Sequence, residues 1–290
     1  MGTATAQRSR LESVQALGLA SFQRGALTVY FSRDRESRAE GVATLLADVA
    51  TFYGVARGQG ADTNVAVLDE SDWEATFDLP YGLSAYRGDG AIVFLPADLE
   101  AGAIFRVLVD GLEASAPEVS SQVRAECGSL RGGARELADL VAVHELGHAY
   151  QRRHFGIGPP SQWFNELVAW YVAYEYLAAR APESLRKVVI VNRALAKSMR
   201  PTTPSLDEFE RSVPTGREYA RFQALFVARC HDVHRARGAR FLGELAREFP
   251  RVATRDQERL ENAEILRRLE RLSLGFEEWA RRVGDLPGGE

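Results

Sequence analysis

Apolar residues recur along this chain with two different periods, and the change of period divides it. In the first third the apolar runs are short and rich in β-branched and aromatic residues, which suits strands: residues 26–32 (ALTVYFS), 64–68 and 91–95 (AIVFL). Between the first two runs, residues 38–53 carry Val42, Leu45, Leu46, Val49 and Phe52 on one helical stripe, closed by Gly54, Gly58 and Gly60. Ser71 and Glu74 stand in capping-box spacing for a brief helix. Pro80, Tyr81 and Gly82 then turn the chain, a short strand candidate runs through Ala85, and a GDG turn at 88–90 leads into the last strand. That strand ends at Pro96, which cannot donate a ladder hydrogen bond. It is either an edge, where an extended peptide could add as a further strand, or an interior hairpin strand. Residues 1–24 read as a short helix over 11–22 or as a loose arm.

Residues 99–135 contain a helix at 103–112 and a Gly-rich stretch leading to Gly132 and Gly133; beyond them the period is helical. A helix over 137–150 is stopped by Gly156, Gly158, Pro159 and Pro160. Ser161 offers an N-cap for the next, which runs to 180. Further helices are expected at 183–197, after Ser205 with Glu208 in capping-box spacing, and at 218–237, 240–248, 254–272 and 276–283. Pro182, Pro201, Pro204, Pro214 and Pro250 punctuate them. The pattern predicts an α+β protein. An arm (1–25) precedes an α/β lobe with a small mixed sheet and the 137–150 helix (26–156), and an all-helical lobe follows (157–290).

Composition narrows the class. With 290 residues, 46% of them hydrophobic, the chain can bury one large core or two lobes. A net charge of −4 supplies no basic field for nucleic acid. Only Lys187 and Lys197 among the 36 basic residues are lysines, and the arginines are scattered among acids rather than gathered into a strip. No apolar run of about 18 residues exists to span a membrane. The N-terminus has no sustained apolar segment of the secretory kind. Cys127 and Cys230 are too few for a disulfide framework and fit a reducing, cytoplasmic setting. Nothing in the pattern fixes an oligomeric state.

The chemistry concentrates in one stretch, HELGH at 144–148. A step of four residues on an α-helix overshoots one turn by about 40°, so the imidazoles of His144 and His148 project from one face and can close on a single metal ion. Two neutral nitrogen donors suit Zn²⁺, and Glu145 is placed to take a proton from a water activated there. Leu137, Leu140 and Val141 share the histidines' face and make it the buried one, where imidazoles need partners. Gly147, in mid-helix, costs roughly 1 kcal/mol relative to alanine and fits a place where something approaches the helix closely. A catalytic zinc site takes a third protein ligand. The candidate is Glu166, which follows Trp163, Phe164 and Asn165, because an unpaired charge among aromatic residues is expensive and coordination removes that expense.

HELGH together with WFNELVAWY at 163–171 resembles the gluzincin zinc metallopeptidases, the group of thermolysin-like and aminopeptidase-N-like enzymes. The second piece is similar to the W-x-N-E-x-x-A-x-Y of the aminopeptidase branch, and the order of elements over residues 26–250 is similar to a gluzincin catalytic domain. The resemblance implies a zincin-like N-terminal lobe and one Zn²⁺ held by His144, His148 and Glu166, with Glu145 activating water on a peptide or protein substrate. EYARFQALFVARC at 218–230 resembles the segment whose tyrosine steadies the oxyanion in such enzymes, which implies that role for Tyr219. His231 and His234 are rivals for it.

Several departures refine the expectation. Phe222 stands where the family often has glycine, and the spacing from His148 to Glu166 is one residue shorter than in aminopeptidases. Trp170 occupies the place of the aspartate that supports a zinc histidine in thermolysin-like members, so another group must orient that imidazole. The strand GAIVFLP carries no Gly-x-Met-Glu-Asn motif, which points to an endopeptidase or narrow-specificity peptidase rather than an aminopeptidase. The alternatives are a catalytically inactive gluzincin-fold scaffold and a regulatory metalloprotease that cuts one dedicated partner.

Overall fold

The computed structural model describes residues 9–58, 60, 62–199, 205–212, 216–251 and 259–285. They form two compact units, Met1–Ala103 and Ile104–Glu290. The first is a mixed α/β unit and the second is helical.

In the first unit, α1 (Arg10–Ala16) and β1 (Ala20–Arg24) precede β2 (Leu27–Phe31), α2 (Glu36–Phe52), β3 (Thr63–Leu68), α3 (Glu70–Thr76), β4 (Ala85–Arg87) and β5 (Ile92–Pro96). The sheet order is β1-β2-β3-β5-β4, with a parallel centre of β2, β3 and β5 and an antiparallel strand at each edge. Period-2 alternation divides the central strands between two faces. Ala66, Leu68, Ile92 and Phe94 turn to one side, where they pack with Val14 of α1 and with Trp73 and Phe77 around α3. Trp73 stands edge-on to Phe77, Tyr81 and Phe94, with centroids 5.2, 5.5 and 6.2 Å away. Val29, Val65, Val67, Val93 and Leu95 on the other side are equally buried, so both faces of the central strands are covered.

Two sequence expectations change here, and one open alternative is decided. The N-terminal segment holds a strand, β1, as well as a short helix; the strand is exposed on both faces, so no hydrophobic alternation announces it. It is held by its ladder to β2 through a two-residue loop that opens on Gly25 at φ +59°, a position that favours glycine. The cap of α3 is Asp69, whose side chain accepts from the backbone N–H of Asp72, rather than Ser71. Finally, β5 is interior: β3 pairs with it on one side and β4 on the other. Yet β4 covers only Ile92–Phe94, so Leu95 and Pro96 extend past its end and the proline's missing donor leaves no ladder bond unmade on that side.

The helical unit contains α4 (Ala103–Glu113), α5 (Pro117–Cys127), α6 (Leu130–Arg153), α7 (Gln162–Arg180), α8 (Pro182–Ser198), α9 (Leu206–Ser212), α10 (Gly216–Arg237), α11 (Arg240–Glu248), α12 (Asn262–Leu272) and α13 (Phe276–Asp285). Pattern and caps agree at α7, where the Ser161 hydroxyl accepts from the N–H of Phe164, and at α9, where Ser205 accepts from Glu208. The Gly-rich stretch expected before Gly132 is instead the helix α5, opened by Pro117 and followed by Gly128 at φ +76°. Gly132 and Gly133 lie inside α6, and a Cβ on Gly133 would come within 2.9 Å of Val123 on α5. The prolines at 201, 204 and 214 and the start of the helix expected from 254 lie outside the described residues. The sequence pattern divides the chain near 156. By compactness the chain divides after Ala103, and α6 belongs to the helical unit.

Candidate metal centre

The centre is built where α6 and α7 cross. From Ala142 to Gln151 every residue of α6 is buried, Glu145 included, so this stretch is enclosed on all sides rather than along one stripe; Val141 is only half-buried. A helix enclosed this tightly must let a neighbour approach its backbone, and Gly147 is where that happens. A Cβ there would sit 2.5 Å from the carbonyl oxygen of Ala169. The close neighbour is thus the backbone of α7, and Ala169 lies one turn beyond Glu166.

This approach brings the Glu166 carboxylate to the histidines. Its Oε2 lies 3.2 Å from His144 Nε2 and 3.6 Å from His148 Nε2. All three side chains are buried, and one ligand atom from each lies within 4.8 Å of the others. Two atoms bound to one zinc at about 2.1 Å in tetrahedral geometry would be about 3.4 Å apart. The two separations bracket that value. Two imidazoles and one carboxylate also form a donor set of the kind zinc accepts.

Burial and charge act on these groups in opposite directions. Burial draws His144 down to about 4, against the pull of its hydrogen bond to Glu166. For His148 burial works the same way but is outweighed by the charges of Glu166 and Glu145, and its pKa is raised. Burial would lift Glu166, but the two histidines hold it well below the usual carboxylate range. Without a metal, the Glu166 carboxylate thus favours the charged form of His148, whereas burial disfavours the charged form of His144.

A second row of side chains comes from α10. The Tyr219 hydroxyl donates to Glu166 Oε2 at 3.0 Å, and the Gln223 amide nitrogen donates to the same oxygen at 2.9 Å. Burial first, then the negative charges of Glu166 and Glu145, push the Tyr219 phenol well above its ordinary value, so it is a donor at every working pH. The negative charge of Glu145 acts on both Tyr219 and His148.

Trp170, one turn beyond Glu166, lies over His144 with centroids 4.4 Å apart and planes inclined by 30°. The Nδ1 atoms of both histidines are buried without a hydrogen-bond partner among the described residues. Packing therefore orients His144, where an aspartate was absent from the sequence. Trp170 also donates its indole N–H to Gln223 Oε1.

All five residues singled out from the sequence, His144, Glu145, His148, Glu166 and Tyr219, thus fall in one neighbourhood. His231 and His234 do not. His231 lies twelve positions beyond Tyr219 on α10, roughly 18 Å along the helix. His231 Nδ1 meets the Tyr174 hydroxyl at 2.7 Å, and His234 Nε2 meets Glu175 at 2.9 Å. Sequence reasoning missed Gln223. Its signal was available, because it follows Tyr219 by four residues and so shares that face, whereas Phe222 turns into the core against Phe209 at 4.9 Å.

No family model, curated protein or solved structure matches the chain. Among the described residues, no helix is long and apolar enough to cross a membrane.

Proposed function

We propose that this chain is a zinc-dependent peptidase of gluzincin type, an endopeptidase or narrow-specificity peptidase. The observation that carries the reading is the buried cluster of His144, His148 and Glu166, with the Glu145 charge and the Tyr219 phenol beside it. We read the fold as zincin-like, with the active-site helix in the helical unit.

His144, His148 and Glu166 would hold the ion. When bound, zinc supplies a Lewis acid that lowers the pKa of a water to about 7 and polarises the scissile carbonyl. Glu145, on the same turn as the histidines, takes the proton of the attacking water and returns it to the leaving nitrogen. Tyr219 donates its hydroxyl hydrogen to the oxyanion that develops on the carbonyl oxygen.

Glu145→Gln keeps the side chain's size and removes its basicity. The purified variant should retain zinc stoichiometrically while losing hydrolysis of a broad peptide library that the unaltered protein cuts. Undiminished hydrolysis in that variant would refute the mechanism, and a wild-type protein that holds zinc but cuts no peptide would refute the activity.

A further inference from the structure

We propose that Gln223 and Trp170 form a positioning pair that holds a carboxylate ligand and an imidazole ligand of the metal centre together. The inference rests on the metal-binding half of the proposed function and is independent of which bond is cut.

The chemistry of the partners fixes the orientation of the Gln223 amide. An indole N–H can only donate, and an ionised carboxylate can only accept. Gln223 lies between one of each: Oε1 takes the Trp170 hydrogen, and Nε2 gives its own to Glu166 Oε2 at 2.9 Å. The reversed amide would lose both bonds and set its oxygen against the carboxylate. The chain of donors therefore runs one way, from Trp170 through Gln223 to Glu166.

The same indole covers His144, whose Nε2 faces that carboxylate oxygen at 3.2 Å. Trp170, Gln223, Glu166 and His144 thus close a ring of contacts in which one tryptophan supports two of the three metal-binding side chains. Trp170 and Gln223 are buried with the residues they hold, so water does not substitute readily for a lost partner. A carboxylate that keeps an amide donor stays ionised and aimed at the histidines, which is the state a metal requires. Replacement of such supporting partners commonly weakens metal binding about 10- to 100-fold.

The test is zinc affinity by competition with a chromophoric chelator, on the full chain, for wild type, Gln223→Leu, Trp170→Phe and the double variant. Gln223→Leu should weaken binding about 10- to 100-fold and alter the visible absorption spectrum of the cobalt-substituted protein. Trp170→Phe keeps a ring over His144 and removes only the N–H, so its loss should be smaller; it also serves should Gln223→Leu fail to fold. Because the indole N–H reaches Glu166 only through the amide, the double variant should bind zinc no more weakly than Gln223→Leu. Losses that simply add, or single variants with unchanged affinity and cobalt spectrum, would overturn the pairing while leaving the zinc reading intact. A wild-type chain with no zinc affinity would overturn both.

Discussion

Gly147 on α6 faces the Ala169 carbonyl of α7 so closely that a single added carbon would lie 2.5 Å from the oxygen. That approach sets the depth at which Glu166 meets His144 and His148. Gly147→Ala therefore sets two effects against each other. Alanine favours a helix by roughly 1 kcal/mol, while overpacking against backbone costs about 1–3 kcal/mol because a carbonyl cannot swing aside as a side chain can. We expect the clash to win. Urea unfolding should show a less stable protein, and its zinc affinity should fall because the third donor is displaced. A more stable Gly147→Ala protein with full zinc affinity would show that the helices are free to separate.

Glu166 carries the ionic contacts of the centre, so Glu166→Ala should remove most bound zinc, as read by metal analysis after dialysis. Zinc itself should stabilise the wild-type fold. At a free concentration 100 times its dissociation constant the gain is about 2.7 kcal/mol. Thermal unfolding with and without a chelator should show this difference in wild type and lose it in the variant; an equal chelator effect in both would place the metal elsewhere.

Tyr219 has two candidate duties, since its hydroxyl already donates to Glu166 and is also offered as the oxyanion donor. Tyr219→Phe separates them. Loss of an oxyanion donor lowers kcat by about 10²- to 10³-fold, with zinc content and KM little changed. If the tyrosine only steadies Glu166, zinc affinity falls while turnover per bound zinc is preserved.

Cys230 is fully buried on α10, with its thiol donating to the Leu167 carbonyl of α7 at 3.6 Å. Burial raises its pKa from an ordinary 9.0. For an acid raised in the folded state, the stability contribution is whole below the unfolded value and is lost progressively as pH climbs from there to the folded one. The fold should therefore weaken as pH rises above 9.0, with Tyr174, pushed up to about 12 mainly by burial, adding to the loss. Cys230→Ala should be less stable at neutral pH and show a shallower alkaline decline in urea midpoint. An identical decline in both proteins would assign it to the tyrosines.

Helical spacing alone determined that His144 and His148 share a face, because that relation lies within one turn of one helix and needs no partner. The Ser161 cap and the carboxylate among aromatic residues at 166 were legible for the same reason, being fixed by neighbours along the chain. Strand β1 was not, since it buries almost nothing and is defined only by its ladder to β2. The interior place of β5 depended on β4 arriving beside it. Only the tertiary structure decided that α7 seats its backbone on Gly147, that Trp170 covers His144, and that Gln223, 57 residues beyond Glu166, supplies its donor. Local periodicity states which side chains leave a helix together. It carries no information on which helix comes to meet them, because that choice is made by packing across the whole unit.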